Sequence, residues 1–469
     1  LGLAETYFAA FVLELGLGEV NAGLILTVPM LLAALAQLGT PGLVRRLGSY
    51  RGFVIFSAGF QALSLIPLAI VALVGSAPAW LVFLLVTLYW LGPVAGGPAW
   101  ASWMGVMVPG RVRARFFGYR NRWLQAGVLG GILVGGLTLR LSNVFDERNA
   151  ALAPDDRWFG GADTTLPAFA LIFLLAGVFR AVSTRYLVLQ TQPSPLPVTE
   201  RGVSVRELAG RLSRSADGRL IVYLFFAQAT LQMALPFWHP YVREQLQFNY
   251  LEYVALLAAA YVGRMLALPA WGRLAQAHGP KTLLWVGGLA TVPLSVLWLA
   301  SDTFAWLLAA QLVGGVALAA FELGSFLLQI ECVRPEERTS VISKFTAVHS
   351  LGMATGSVAG GAILGAEPGA RAYEVLFVVA SLARVLTIPV LIAVRRAAER
   401  PPGEEAGQEA GKEAGGGVAV LPAPASPERT LAPAPGEEVV AERVLADARA
   451  SEAGGRPPRH DGAPGRAAR

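Results

Sequence analysis

Five charged side chains stand out inside apolar runs: Glu5 in "GLAETYFAAF", Arg180 in "LIFLLAGVFRAVSTRYLVLQ", Arg264 in "AAAYVGRMLAL", Glu322 in "ALAAFELGSF" and Arg384 in "VLFVVASLARVLTIPVLIA". A charge in apolar surroundings is costly and marks a functional site by default. A buried carboxylate has a raised affinity for protons and can cycle one near neutral pH. Glu5 and Glu322 are therefore candidates for moving a proton. Arg264 can neutralise one of them or hold an anionic solute. The competing reading is a purely structural Arg264–Glu322 ion pair. Gln228 and Gln232 lie four apart on one helical face, where they can hydrogen-bond a polar solute or a neighbouring helix. The four histidines (His239, His278, His349 and His460) are dispersed, so no metal site is expected. No GxxxxGK[ST] loop occurs, and no nucleophile–base pattern marks an enzyme. No cofactor follows from the sequence.

The elements that carry these residues are read from composition. Of 469 residues, 54% are hydrophobic and only 15% charged, against roughly a quarter in soluble domains. Mean hydropathy is +0.53. Apolar segments recur at the length of a bilayer-crossing helix. Twelve are expected, with cores at 1–15, 20–43, 53–75, 79–107, 117–141, 166–189, 219–243, 252–272, 282–300, 304–331, 341–364 and 373–394. The fold class is an all-α polytopic membrane protein. The first segment, already apolar at Leu1, reads as a trimmed helix. The net charge of +6 is expected to set topology rather than bind nucleic acid.

Loop charge alternates along the chain. Arg45, Arg46 and Arg51 follow the second segment, and Arg111, Arg113, Arg115, Arg120 and Arg122 the fourth. Loop 142–165 is acidic on balance, and 75–79 is uncharged. By the positive-inside rule, both termini are expected in the cytoplasm. Four regions follow: 1–190 as a first six-helix bundle, 191–217 as a cytoplasmic linker, 218–396 as a second bundle, and 397–469 as a disordered tail rich in Ala, Gly, Pro, Glu and Arg.

The two bundles repeat. A spacing of 204 residues separates Phe173 from Phe377, Ala176 from Ala380 and Arg180 from Arg384. A spacing of 225 relates Gly127, Gly131 and Gly135 to Gly352, Gly356 and Gly360, and Arg113 to Arg338. Glycines four apart give a flat face for close helix packing. A site for one asymmetric solute need not be duplicated, whereas a structural feature of both halves is. The paired Arg180 and Arg384 are thus expected to be structural, bonding carbonyls of their own half or snorkelling. At the spacing of 231 that relates Gly48 to Gly279, Glu5 stands opposite Pro236 and Arg264 opposite Ala33. Matching Gly92 to Gly314 sets Trp100 opposite Glu322. These charges are unpaired by the repeat.

With its helix count, six-plus-six repeat, linker and short loops, the chain resembles the major facilitator superfamily over residues 1–396. That family's loop after helices two and eight reads Gly-x-x-x-Asp-Arg-x-Gly-Arg-Arg. Here Pro41 stands at the first glycine, Arg45 at the acid, Arg46 at the basic position and Gly48 at the second glycine. The second copy keeps Gly272 and Gly279, has Lys281, and places Gln276 at the acid. The acid is absent from both copies. Arg45, Arg46, Gly48, Arg113, Gly272, Gly279, Lys281 and Arg338 are the candidate gating residues. The resemblance implies alternating access by rocking halves, with helices one, four, seven and ten lining the cavity and three, six, nine and twelve peripheral. Glu5 and Glu322 then sit on cavity helices, with Trp100 among the aromatics nearby. The expected function is secondary active transport of a small solute, proton-coupled, with export favoured by the aromatic, weakly polar cavity. A monomer in a bacterial inner membrane is expected. A non-transporting membrane sensor or assembly protein that keeps the fold is the alternative.

Overall fold

The computed structural model describes residues 2–25, 27–152, 164–190, 201–212, 215–248, 250–366 and 370–398. Within these it is helical, without β-strand. The tail from residue 399 onward and the first ten residues of the expected linker lie outside this range, as do Asp155, Asp156, Arg157, Asp163 and His460.

Ten helices are long and apolar enough to cross a membrane. We number the helices α1 to α12 with the sequence segments. α1 is Phe8–Glu14 and α2 the kinked run Asn21–Leu47. α3 is Tyr50–Val74, α4 Ala79–Met107, α5 Gly110–Ala150 and α6 Thr165–Leu189. α7 is Ala216–Gln232, α8 Tyr250–His278, α9 Pro280–Ala290, α10 Phe304–Cys332 and α11 Arg338–Ala366. α12 is Ala370–Val385, continued after a break by Ile388–Ala398. The order of these helices follows the twelve expected segments. α1 and α9 are too short to count as spans among the described residues. α9 stops short of Pro293, which lacks the N–H for a helical hydrogen bond, and a short turn over Leu294–Leu297 follows.

One expectation is corrected. The acidic loop assigned to 142–165 is helical through Ala150, so α5 has 41 residues and is about 62 Å long, twice a hydrocarbon core. Within the linker, Ser204 caps a helix over Val205–Arg211.

Packing shows the duplication directly. α5 lies along α8 and α2 along α11, and exchanging the two halves converts one pair into the other. Gly352, Gly356 and Gly360 on α11 face the backbones of Phe225, Ala229 and Met233 on α7, also four apart. A Cβ at Gly356 would strike the Ala229 carbonyl. In the first half Gly131 meets Leu3 and Gly135 meets the Tyr7 ring, whereas Gly127 faces open space. Gly48 (φ +65°) and Gly279 (φ +82°), equivalent by the repeat, both take the left-handed backbone that lets the chain reverse after α2 and α8.

The core is asymmetric along the membrane normal. At the end carrying the arginine-rich loops, one buried cluster joins both halves: Val54, Trp103 and Phe117 with Leu268, Leu323 and Ile330. At the opposite end the clusters stay within one half, around Phe8, Tyr89 and Phe173 in the first and around Trp238, Trp298 and Phe377 in the second. The halves are thus sealed together at the basic end and separate at the other.

Candidate transport site

The seal at the basic end is built from polar and aromatic contacts between halves. Ser102 Oγ on α4 lies 2.7 Å from Thr339 Oγ1 on α11. Gln276, standing where the loop signature has an acid, donates from Nε2 to the Arg111 carbonyl at 2.8 Å. This bond joins the two halves without an ion pair. Arg113 donates to the Gly105 carbonyl at 2.7 Å, and Arg338 donates to Ile330 at 3.2 Å. Donors and acceptors both obey the 225-residue repeat. The Arg338 guanidinium also packs on Gly105, where a Cβ would lie 2.7 Å from Nη1. Gly118 and Gly272 let α5 and α8 cross backbone to backbone. Glu331 on α10 feels the charges of Arg113 and Lys281. Arg45 and Arg46 are exposed, and the Arg45 guanidinium abuts Gly202 of the linker.

The linker is docked through Glu337, which is 2% exposed. It accepts from Arg201 Nη1 at 2.7 Å and from Arg211 Nη1 at 2.7 Å. Those bonds to Glu337 raise the pKa of the Arg211 guanidinium and keep it charged. The backbone follows, with Arg201 N–H donating to the Glu336 carbonyl and Val203 N–H to Ser340 Oγ. Nothing in the sequence reading anticipated Glu337.

Above the seal lie two cavities. One, of about 470 Å³, is walled by α7, α8, α10 and α11 and by Met30 of the first half. It holds Arg264 and Glu322. Arg264 Nη1 lies 3.1 Å from Glu322 Oε1 and 3.3 Å from Oε2. The carboxylate side chain is 48% exposed and that of Arg264 22%. Gln228, Gln329, Ser325 and His349 supply further polar groups, and Leu318, Phe321 and Phe326 an apolar wall. Gln232 is half-buried and does not line it.

The second cavity, about 760 Å³, lies in the first half and is lined by Tyr89, Trp100, Arg120 and Arg180, with Gly2 and Leu3 at its edge. Tyr89 Oη donates to Glu5 Oε1 at 2.8 Å, and Arg180 feels both groups. The paired arginines therefore differ. Arg384, 3% exposed, donates to the Thr291 carbonyl at 3.1 Å and the Thr230 carbonyl at 3.1 Å, tying α12 to α9 and α7. Arg180 instead faces a cavity. Tyr261 on α8 is half-buried and lies beside Arg264, with its ring 6.0 Å from the guanidinium. Between the cavities, Trp100 of α4 stacks on Phe326 of α10 with centroids 6.1 Å apart. Phe117 meets Phe326 edge-on at 4.9 Å, and Arg120 sits 4.4 Å over Trp100. Only Trp100 of this aromatic floor was legible, because Phe326 comes from α10, more than two hundred residues away. No cluster of three metal-ligating side chains occurs among the described residues.

No curated protein matches the chain by sequence. Residues 220–445 match the model of the Major Facilitator Superfamily. Among solved structures, FucP in its outward conformation aligns with a TM-score of 0.63 at 11% identity, covering 85% of this chain and 96% of that one. A FucP variant described as the E. coli fucose:proton symporter aligns at 0.62 and 14%, with the same coverage of 85% and 96%. A bacterial homologue of the iron transporter ferroportin, outward-facing, aligns at 0.55 and 16%, covering 84% and 96%. Residues 220–445 are thus similar to the Major Facilitator Superfamily, and the fold over most of the chain is that of transporters of this superfamily.

Proposed function

We propose that this protein is a secondary active transporter that moves a small amphipathic solute by alternating access, coupled to protons through Glu322. The observation that carries the reading is the Arg264–Glu322 pair, with its half-exposed carboxylate, in a cavity walled by both halves and closed by an apolar core at one end only. A buried structural pair would be shielded; this one is open to whatever enters. Glu5, which accepts a hydrogen bond from Tyr89, is the second proton candidate. Gln228 and Trp100 line the solute path, and Gln232 supports it from behind. By the positive-inside rule the basic end faces the cytoplasm, which makes the described conformation outward-facing and puts both termini inside. The outward state of its structural neighbours and the proton symport named for one of them support this reading. The chain acts as a monomer in a bacterial inner membrane, without enzymatic activity.

The test is flux in liposomes under an imposed pH gradient, for wild type and for Glu322→Gln, with the sign of the gradient giving direction. Gradient-driven accumulation that Glu322→Gln abolishes is expected. Unchanged accumulation in Glu322→Gln and in Glu5→Gln would remove both carboxylates from coupling.

A further inference from the structure

The transport reading leaves the solute's chemistry open, but the geometry around Arg264 narrows it. A guanidinium carries five N–H donors in a planar fork. Here Nη1 alone serves Glu322, and no other hydrogen bond from the guanidinium is made among the described residues. The Tyr261 ring stands 6.0 Å away. The side chain is still partly exposed to the cavity, so its remaining edge meets the incoming solute. We propose that the solute is an amphipathic organic anion, which sets its charged group on the open edge of Arg264 beside Glu322 and its apolar body against Phe321 and Phe326.

The alternatives fit less well. A cation would have to approach Glu322 with the Arg264 charge 3.1 Å from the same carboxylate. A neutral solute would leave the open donors unsatisfied once water is displaced. An anion satisfies them, and Gln228 and Gln329 remain for its polar substituents. The cavity of about 470 Å³ suits a compact ring system rather than a peptide.

Charge balance then gives the coupling. The empty pair is neutral. An anion on Arg264 brings a second negative charge beside Glu322 and displaces the water that screens it, and this favours protonation of Glu322. One proton from water binds Glu322 with each anion, and both leave together. The other titratable groups near the pair are Tyr261 on α8, beside Arg264, and His349 on α11, which lines the same cavity. Coupling of this sign is symport. An inward proton gradient then drives uptake, the reverse of the export expected from cavity aromaticity.

This inference rests on the transport reading, and its test separates the two. The probes are naphthalene-1-sulfonate, which is anionic at every working pH, naphthalene-1-sulfonamide, and 1-naphthylmethylammonium. Binding to the full chain in detergent is measured by calorimetry in buffers of different ionisation enthalpy, which counts protons. The sulfonate is expected to bind with uptake of one proton, and to weaken about tenfold per pH unit once Glu322 must be protonated from alkaline solution. Glu322→Gln should bind it with no proton uptake and no pH dependence, which a merely structural pair would not give. Arg264→Gln should lose the sulfonate at least tenfold, and Arg264→Lys should retain part of it. Binding of the ammonium or the sulfonamide as tight as the sulfonate overturns the proposal. So does sulfonate binding without a proton, or binding of none of the three. If proteoliposomes carry the ammonium and not the sulfonate, transport stands and the anion class falls. If none of the three moves under a gradient, the transport reading fails as well.

Discussion

Gly118→Ala tests whether the α5–α8 crossing is the seal of the basic end. A Cβ at Gly118 would lie 2.7 Å from the Leu268 carbonyl oxygen and 3.0 Å from Gly272 Cα, against the 3.4 Å at which ordinary contact begins. Both obstacles are backbone, so no rotamer change relieves them. The helices must part, and they belong to opposite halves. Overpacking of this size costs about 1–3 kcal/mol. The cost falls on the conformation sealed at the basic end and is relieved when the halves separate there. Such a difference moves a two-state equilibrium by about 5–150-fold. The assay uses Ser102→Cys, buried against Thr339, in a Cys332→Ala background, since Cys332 is the only cysteine. Alkylation of Cys at 102 from the basic side should accelerate by a factor in that range when Gly118→Ala is added. An unchanged rate in a folded protein would refute the claim that α5 and α8 separate at this level.

Three further outcomes follow from the contacts. Glu337→Ala strips Arg201 and Arg211 of their shared carboxylate; it should cost about 3 kcal/mol, the low end for breaking a buried pair because Arg201 reaches solvent, and speed proteolysis of the linker, while Glu336→Ala should not. Arg384→Ala should lower thermal stability and yield well below Arg180→Ala, since only Arg384 ties three helices through two carbonyls; equal losses would restore the symmetric reading of the pair. Gly356→Leu should impair folding through the α7–α11 contact, whereas Gly127→Leu, facing open space, should be tolerated, as read by detergent-solubilised melting curves.

Much of this architecture was legible in the sequence because membrane helices are set by length and hydropathy. The segment expected at 79–107 is the helix Ala79–Met107, and its Pro93 and Pro98 do not break it. The repeat also carried down to single bonds, as Arg113 and Arg338 both reach carbonyls eight residues back. Hydropathy misled at the end of α5: the helix continues through polar 142–150, beyond the apolar segment, because loss of apolar character does not by itself end a helix and no Pro or Gly interrupts this stretch. The linker helix had a local signal, Ser204 followed by Glu207 at the capping-box spacing, overlooked because the segment opens with prolines. Arg264 and Glu322, both unpaired by the repeat, were open to two readings, a transport site and a structural ion pair, and they lie 3.1 Å apart. Glu337 and the Phe117–Phe326 contact were not legible: their partners lie more than a hundred residues away and carry no spacing pattern.

The central claim is that Glu322 couples proton movement to solute movement through Arg264. Its most direct measurement compares net flux and exchange in proteoliposomes of Glu322→Gln, with a solute the wild type accumulates under a pH gradient. The account predicts that accumulation is lost while exchange of labelled for unlabelled solute persists, because the halves still rock around a loaded site. Accumulation at the wild-type level in Glu322→Gln would contradict it.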